Sequence, residues 1–161
     1  VERQQSPVAL LKTNRFIYRM SFRGRKSHFC VLTGLWRNDV GSRMQIDRVN
    51  EDGSFSGKYH TAVSLTENSI KPATLIGSQQ LSEGGQPTFG FTVNWKSFSE
   101  STTVFTGQCY VGENGKEILQ TMWLLREKVD PQNNWGATRV GTNIFTRTKG
   151  QNVGESLRSD L

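Results

Sequence analysis

Residues 88–96 read TFGFTVNWK, and this stretch decides the fold class. Side chains along a β-strand alternate between its two faces. The alternation places every second residue from Phe89 to Trp95 on an apolar face, whereas the residues between them are threonine, glycine and asparagine. A strand with one apolar and one polar face packs against a core on one side and meets water on the other. The stretch therefore predicts an antiparallel sheet.

Seven further runs are rich in Thr, Val, Phe, Tyr and Trp, the side chains that suit a pleated surface. Turn signals such as Asp52-Gly53, Gly84-Gly85 and Asn114-Gly115 separate them. With 88–96, the predicted strands are 32–38, 43–49, 55–63, 73–77, 102–111, 116–127 and 137–147. Eight antiparallel strands joined by hairpins close naturally into a barrel, which removes the sheet edges. We therefore predict an all-β fold, an eight-stranded antiparallel up-and-down barrel.

The chain length and composition fit one domain with two extensions. The chain has 161 residues, of which 34% are apolar and 16 are glycine, and such a length suits a single core. No apolar run approaches the roughly 18 residues that span a membrane, so we expect no membrane partner. We expect residues 1–29 to be a basic flexible extension without a secretory signal, 30–149 to form the barrel and 150–161 to be a polar tail.

The net charge of +6 resides in the first 29 residues. They carry seven basic groups and one acidic group, while the rest of the chain carries 13 of each sign. Nucleic-acid binding needs basic groups clustered on a folded surface. We therefore expect no nucleic-acid partner, and a basic arm of this kind is more often solvated than bound to a specific polyanion.

Polar residues share the predicted inward faces with the aromatic side chains. These neutral polar residues are Asn38, Ser42, Tyr59, Thr61, Thr103 and Asn143. Burying an unpaired amide or hydroxyl costs about 1–3 kcal/mol, so the six groups satisfy one another or water, or they await a polar ligand. An eight-stranded barrel is just wide enough to hold one small ligand. Because the inward set contains no charged residue, the ligand's buried head group should be neutral and polar.

The same inward faces argue against an enzyme, since they hold no general base, activated nucleophile or metal ligand. His60 falls on the outward face beside Tyr59, and His28 lies in the basic extension. The GENGK sequence at 112–116 forms a hairpin turn without the spacing of a phosphate-binding loop. We therefore expect no catalytic residue, no metal and no catalytic cofactor.

Two predicted strands are apolar on both faces. Met122 and Leu124 lie opposite the inward set of 116–127, as Val140 and Ile144 do in 137–147. In a monomer, a barrel strand should have one polar face exposed to water. This pattern therefore predicts a subunit contact.

The cysteines and one tryptophan leave alternatives open. Cys30 and Cys109 are as compatible with buried thiols as with a disulfide, which would indicate an oxidising compartment. Trp135 stands in the turn-like sequence QNNWG and is either a local packing plug or a contact for a ligand or partner.

Taken together, these residues resemble the avidin family of biotin-binding barrels, in particular its vertebrate members. The matching segments, in chain order, are LTGLWRNDVGS (32–42), FSGKY (55–59), TAV (61–63), QPTFGFTVNW (86–95), SESTTVFTGQC (99–109), TMWLLR (121–126) and WGATRVGTNIFTR (135–147). The similarity covers residues 30–149, and neither terminal extension is included.

The resemblance implies a secreted homotetramer that holds biotin in each barrel without chemical change, for sequestration, transport or antimicrobial depletion of the vitamin. The residues implied to bond the ureido oxygen are Asn38, Ser42 and Tyr59. Those implied to take the ureido N–H groups are Thr61 and Asn143, with Thr103 beside the thioether sulfur. The aromatic walls are implied to be Trp95, Phe98, Phe105 and Trp123. The residues implied to meet the valeryl carboxylate are Ser64, Leu65, Thr66, Ser99 and Ser101.

The resemblance further implies a disulfide between Cys30 and Cys109, and it places Trp135 in the pocket of a neighbouring subunit. The implied subunit contacts are Met122, Val140 and Thr142. Thr142 stands where an aliphatic residue is expected, Gly136 stands where a lysine is expected, Leu65 is bulkier than expected, and the loop before Trp135 is one residue shorter. These departures bear on affinity and tetramer stability more than on the identity of the ligand.

An alternative function is a barrel-shaped interaction module that binds a macromolecule through its outer apolar strands or its basic N-terminal arm. A lipid carrier fits less well, because six neutral polar groups suit a fatty chain badly.

Overall fold

The computed structural model describes residues 29–62, 72–81, 83–96 and 100–148. It confirms the predicted closed barrel, in which each strand pairs antiparallel with its neighbours in the chain and the last strand pairs with the first. The strands are β1 (Gly34–Asn38), β2 (Arg43–Ile46), β3 (Ser54–His60), β4 (Ala73–Gln79), β5 (Thr88–Trp95), β6 (Ser101–Val111), β7 (Glu117–Glu127) and β8 (Thr138–Arg147).

Several strand boundaries differ from the prediction by two residues or more. β1 begins at Gly34 instead of residue 32, and β3 ends at His60 instead of residue 63. β2 ends at Ile46 instead of residue 49, and β4 continues beyond residue 77 to Gln79. The extension is polar, but Ser78 pairs with Ser54 on one side and Gln79 with Phe89 on the other. Pairing with two neighbouring strands thus extends β4 where the local sequence alone does not favour a strand.

The predicted alternation is confirmed along most of the barrel wall. In β5 the residues from Phe89 to Trp95 alternate between buried and less buried positions, as the sequence pattern indicated. The buried apolar core runs through the whole barrel and includes residues from every strand. His60 is the last residue of β3, and its side chain is exposed, as expected.

The connections of an up-and-down barrel alternate between its two ends. Strands β1, β3, β5 and β7 all end at the same end of the barrel, which we call the mouth. A 3₁₀ helix, Pro131–Gly136, occupies the β7–β8 connection, where the sequence indicated a turn. Within the described ranges, no helix is long and apolar enough to cross a membrane.

Trp36 in β1 pairs with Arg147 at the end of β8. The guanidinium carbon of Arg147 lies 4.1 Å from the centre of the Trp36 ring, and its Nε donates to Glu117 Oε2 at 2.6 Å. Trp36 is completely buried, and its Nε1 donates to the Leu32 carbonyl at 2.8 Å. A cation over an indole face is attractive, so these contacts help to join β8 to β1.

The disulfide implied by the resemblance is present. Cys30 and Cys109 are bonded, with their Cα atoms 5.7 Å apart. The bond joins the segment before β1 to β6, a strand that does not pair with β1. It excludes the alternative of two buried thiols.

Candidate ligand-binding site

Three neutral polar side chains converge inside the mouth end of β1, β2 and β3. Asn38 ends β1, Ser42 precedes β2 and Tyr59 lies one residue before the end of β3; all three are buried. Asn38 Nδ2 donates to Tyr59 Oη at 3.3 Å. The three strands therefore bring a carboxamide, a hydroxyl and a phenol from separate parts of the sequence to one place.

Backbone groups fix the orientation of two of these side chains. The N–H groups of Ser42 and Val40 donate to Asn38 Oδ1 at 2.7 Å and 3.2 Å, so the NH₂ group of Asn38 faces the other way, toward Tyr59. The N–H of Ala62 donates to Ser42 Oγ at 3.0 Å. Because Ser42 Oγ accepts this bond, its own proton can serve its hydrogen bond with Tyr59.

Tyr59 retains its proton over the physiological pH range. Burial raises the pKa of Tyr59 from its ordinary value of 10.0 to about 12; a hydrogen bond with Ser42 lowers the pKa and the negative charge of Asp39 raises it. Burial disfavours the charged phenolate, which explains the direction of the shift. Asn38, Ser42 and Tyr59 thus form a cluster of uncharged donors suited to a carbonyl-type oxygen.

A complementary acceptor comes from β8. Asn143 is buried, and its Nδ2 donates to Asp39 Oδ1 at 2.9 Å. This bond identifies which amide atom is the nitrogen, and it leaves Asn143 Oδ1 without a donor among the described residues. Thr121 Oγ1 donates to the Asn143 carbonyl at 2.8 Å and holds the backbone of β8 at this point.

Aromatic side chains surround these polar groups. Tyr59 packs edge-on against Trp95 with ring centres 5.4 Å apart, and it stacks on Phe105 at 5.7 Å. Trp95 Nε1 donates to Thr103 Oγ1 at 2.7 Å, which leaves the Thr103 hydroxyl proton available. Trp123 on β7 pairs with Phe105 on β6. Its side chain is partly buried and packs against the core. The interior thus combines flat apolar walls with neutral polar groups.

The structure brings most of the predicted residues together. Those buried in the barrel are Asn38, Ser42, Tyr59, Trp95, Ser101, Thr103, Phe105 and Asn143. Thr61, just after β3, and Trp123 are half-buried. The predicted residues Ser64, Leu65, Thr66, Phe98 and Ser99 lie outside the described residues. Their expected roles remain predictions.

Trp135 is the predicted residue that does not join the site within its own chain. It lies in the 3₁₀ helix between β7 and β8, and its side chain is 100% exposed. This excludes the interpretation of Trp135 as a packing plug in its own barrel and leaves a contact with a ligand or partner.

Asp39 is a functional candidate that the alternation pattern of the sequence did not indicate. It lies in the β1–β2 turn, outside the inward set, and yet it receives the amide of Asn143. Its position directly after Asn38 was the one available signal. The pairing spans most of the barrel sequence, so local alternation could not reveal it.

Most polar groups of the site have a hydrogen-bond partner before any ligand binds. Among the described residues, no buried side-chain nitrogen or oxygen lacks a hydrogen-bond partner. The buried polar groups therefore largely satisfy one another. The Thr103 hydroxyl proton, the second N–H of the Asn38 amide and Asn143 Oδ1 remain for a ligand. Within the same residues, no three side chains of His, Cys, Asp or Glu are grouped as metal ligands. The arrangement suits binding of a neutral polar group.

Comparisons with known proteins agree on one family. The Avidin family model matches residues 26–148. Avidin of Gallus gallus is 58% identical over 130 residues, covering 80% of this chain and 85% of that protein. Avidin-related protein 4/5 of Gallus gallus is 56% identical over 119 residues, covering 73% and 78%.

Solved structures give the same result. A crystal structure of xenavidin superposes with a TM-score of 0.69 at 53% identity, covering 74% of this chain and 99% of that chain. The X-ray structure of a biotin binding protein from chicken superposes with a TM-score of 0.70 at 55% identity, covering 74% and 98%.

Proposed function

Because this chain belongs to the avidin family, we propose that it binds biotin non-covalently inside its barrel and leaves it chemically unchanged. The family members that the chain resembles include a chicken protein described as biotin binding. The role is sequestration or transport of the vitamin, and no residue of the site acts as a catalyst or binds a catalytic cofactor.

The observation that carries the proposal is the donor cluster of Asn38, Ser42 and Tyr59. Biotin's head group is a cyclic urea, which is neutral and strongly polar, and its oxygen accepts several hydrogen bonds. The amide of Asn38 is oriented by two backbone N–H groups, and Ser42 by a third. Donors that are already oriented lose little side-chain entropy on binding, so more of the interaction energy appears as affinity.

The rest of the ligand is assigned to the other residues of the barrel. Asn143 Oδ1 would accept one ureido N–H, with Thr61 near the second. Thr103 would lie beside the thioether sulfur, and Trp95, Phe105 and Trp123 would enclose the bicyclic ring. Phe98 is assigned to the same wall, and the carboxylate is assigned to Ser64, Leu65, Thr66, Ser99 and Ser101 at the mouth.

We propose that the functional protein is a secreted homotetramer. Met122, Leu124 and Val140 on the outward faces of β7 and β8 are exposed by half or more. Contiguous apolar surface of this kind typically marks an interaction site. Trp135 would then enter the pocket of a neighbouring subunit, which accounts for its full exposure in a single chain. Thr142 pairs with Met122 in this surface and adds a hydroxyl to the contact.

Calorimetric titration with biotin tests the proposal. We expect one biotin per chain, and we expect Tyr59→Phe to bind more weakly because one donor to the ureido oxygen is lost. Octanoate serves as the control ligand, since it has the fatty chain and carboxylate without the urea. Absence of heat and of a tryptophan fluorescence change at micromolar biotin would refute biotin binding, and tighter binding of octanoate would indicate a lipid carrier.

A further inference from the structure

Four basic residues form a strip on the outward face of β1, β2 and β3. Arg37 lies directly opposite Arg43, and Arg43 lies opposite His60. Lys58 is two residues before His60 on the same face of β3. All four side chains are exposed. Neighbouring strands are about 4.8 Å apart, so the row across three strands is roughly 10 Å wide. We call these four residues the basic strip.

The strip is not neutralised by the described part of the chain. The ion pairs found there join Lys128 to Glu100, Arg139 to Glu127 and Arg147 to Glu117, all on other strands or connections. The two carboxylates nearest in sequence have other partners: Asp39 accepts from Asn143, and Asp47 accepts from Gln45 and Ser56. Like charges directly opposite each other in a sheet are destabilising. The strip therefore lowers stability unless an anion covers it.

The strip also lies away from the apolar surface of the barrel. The exposed apolar residues on strands β4 and β6 to β8 are Ile76, Val104, Met122, Leu124, Val140 and Ile144. The outward face of β1 to β3 contributes one exposed apolar side chain among the described residues, Leu35. Burial of the apolar surface by other subunits would leave the basic strip facing solvent.

We propose that the basic strip is a binding site for a linear sulfated or carboxylated glycan. Guanidinium groups bind sulfate and carboxylate oxygens through paired hydrogen bonds, and two arginines stand side by side in the strip. The Cys30–Cys109 disulfide indicates an oxidising compartment, in which such glycans are the abundant polyanions. This site is on the outer surface and is independent of the proposed biotin site.

The surroundings of the strip favour a glycan over nucleic acid. The outward residues paired with or next to the basic side chains are Leu35, Gln45, Ser56, Thr74 and Thr146. Single-stranded nucleic acid binds to basic grooves through aromatic side chains on which bases stack, and the strip contains no Phe, Tyr or Trp. The strip lies within paired strands of the barrel wall, whereas a duplex groove is read by a protruding helix or β-ribbon.

Two variants of equal net charge test the proposal in the full chain. The strip variant is Arg37→Gln/Arg43→Gln/Lys58→Gln, and the control variant is Lys96→Gln/Lys116→Gln/Lys128→Gln, which removes three exposed cations from other parts of the barrel. Both retain the basic residues 1–28, so any contribution of that segment is the same. The probe is a heparin dodecasaccharide, titrated at several salt concentrations.

We expect the strip variant to bind the dodecasaccharide at least about tenfold more weakly than the control variant. The slope of log K against log salt should fall by about one for each cation removed from the contact. Melting temperature and biotin titration establish that both variants fold, and the strip variant should melt no lower than the unmodified chain. If the triple variant does not fold, Arg43→Gln alone should produce a smaller loss in the same direction.

Three results would overturn the proposal. Equal losses in the two variants would mean that net charge alone attracts the glycan, and an unchanged strip variant would place the contact elsewhere. Strip-dependent binding of a DNA duplex that is tighter than binding of the dodecasaccharide would identify a different partner. Failure of biotin to bind any variant would count against the proposed function and not against the strip.

Discussion

The side-chain amide of Asn143 donates a 2.9 Å hydrogen bond to the carboxylate of Asp39, which lies 104 residues earlier in the chain. Asn143 lies within β8, and Asp39 directly follows β1. Because a carboxylate accepts only, the amide of Asn143 must present its nitrogen to Asp39 and keep its oxygen for a ligand donor. Asp39, which lies outside the barrel interior, therefore determines which amide atom of Asn143 is left for a ligand.

Asp39→Ala should weaken biotin binding by roughly 10- to 100-fold, since hydrogen bonds to charged groups are worth about 1.5–3 kcal/mol. The expected cause is free rotation of the Asn143 amide. Asp47→Ala is the matched control, because Asp47 is exposed and its carboxylate accepts from Gln45 on β2 and Ser56 on β3. Calorimetry on both variants provides the measurement. An Asp39→Ala protein that binds as tightly as the Asp47→Ala protein would show that the ligand alone orients Asn143.

Gly141→Ala should displace an aromatic wall of the site. A Cβ atom at Gly141 would lie 2.2 Å from Cζ2 and 2.5 Å from Cε2 of Trp123, so the indole has to move. Overpacking of this kind costs typically about 1–3 kcal/mol, and we expect biotin affinity to fall about tenfold or more with a change in tryptophan fluorescence.

Gly136→Ala is the control for this substitution, because nothing lies within 4 Å of a Cβ atom at Gly136. It should alter stability by less than about 0.5 kcal/mol. Equal effects of the two substitutions would contradict the assignment of Trp123 to the binding site.

The sequence predicted those features that depend on local alternation. The eight strands, the inward position of Trp95 and Asn143, and the exposure of His60 all follow from a period of two along each strand. The features that it missed depend on which strands meet. Closure of the barrel brings Arg147 over Trp36 and Asp39 against Asn143, and no local pattern specifies such pairs. The same holds for the basic strip, in which the adjacency of Arg37, Arg43 and His60 appears only in the strand register.

Removal of the disulfide should destabilise the barrel strongly. Cys30 and Cys109 are 79 positions apart, and the chain-entropy relation for a loop of this size gives roughly 4.5 kcal/mol. We expect Cys30→Ser/Cys109→Ser to unfold at a much lower urea concentration than the unmodified chain. A reductant should lower the urea midpoint of the unmodified chain and leave that of the double variant unchanged. Equal midpoints for the two proteins without reductant would contradict a stabilising role.

Stability should decline in alkaline solution through Tyr59. Its pKa is about 12 in the folded chain and 10.0 ordinarily, so the unfolded chain loses the phenolic proton first as the pH rises. The contribution is complete below about pH 10 and should decrease by about 1.4 kcal/mol per pH unit as the pH rises toward 12. The difference in urea stability between the unmodified chain and Tyr59→Phe, measured from about pH 9 to 11.5, isolates this effect from other titrating groups. A difference that does not change with pH would refute the buried, protonated phenol.

Trp135→Lys should accelerate biotin release without destabilising the barrel that carries it. The side chain is fully exposed in its own chain, so its removal costs that chain no packing. In the proposed tetramer it closes a neighbouring pocket, and loss of a tryptophan at the centre of an interface typically costs about 2 kcal/mol or more. We therefore expect dissociation to be about 30-fold faster or more. Gly136→Lys adds the same charge one position later and serves as the control. Release at the unmodified rate from Trp135→Lys would remove the proposed intersubunit contact and leave the barrel site intact.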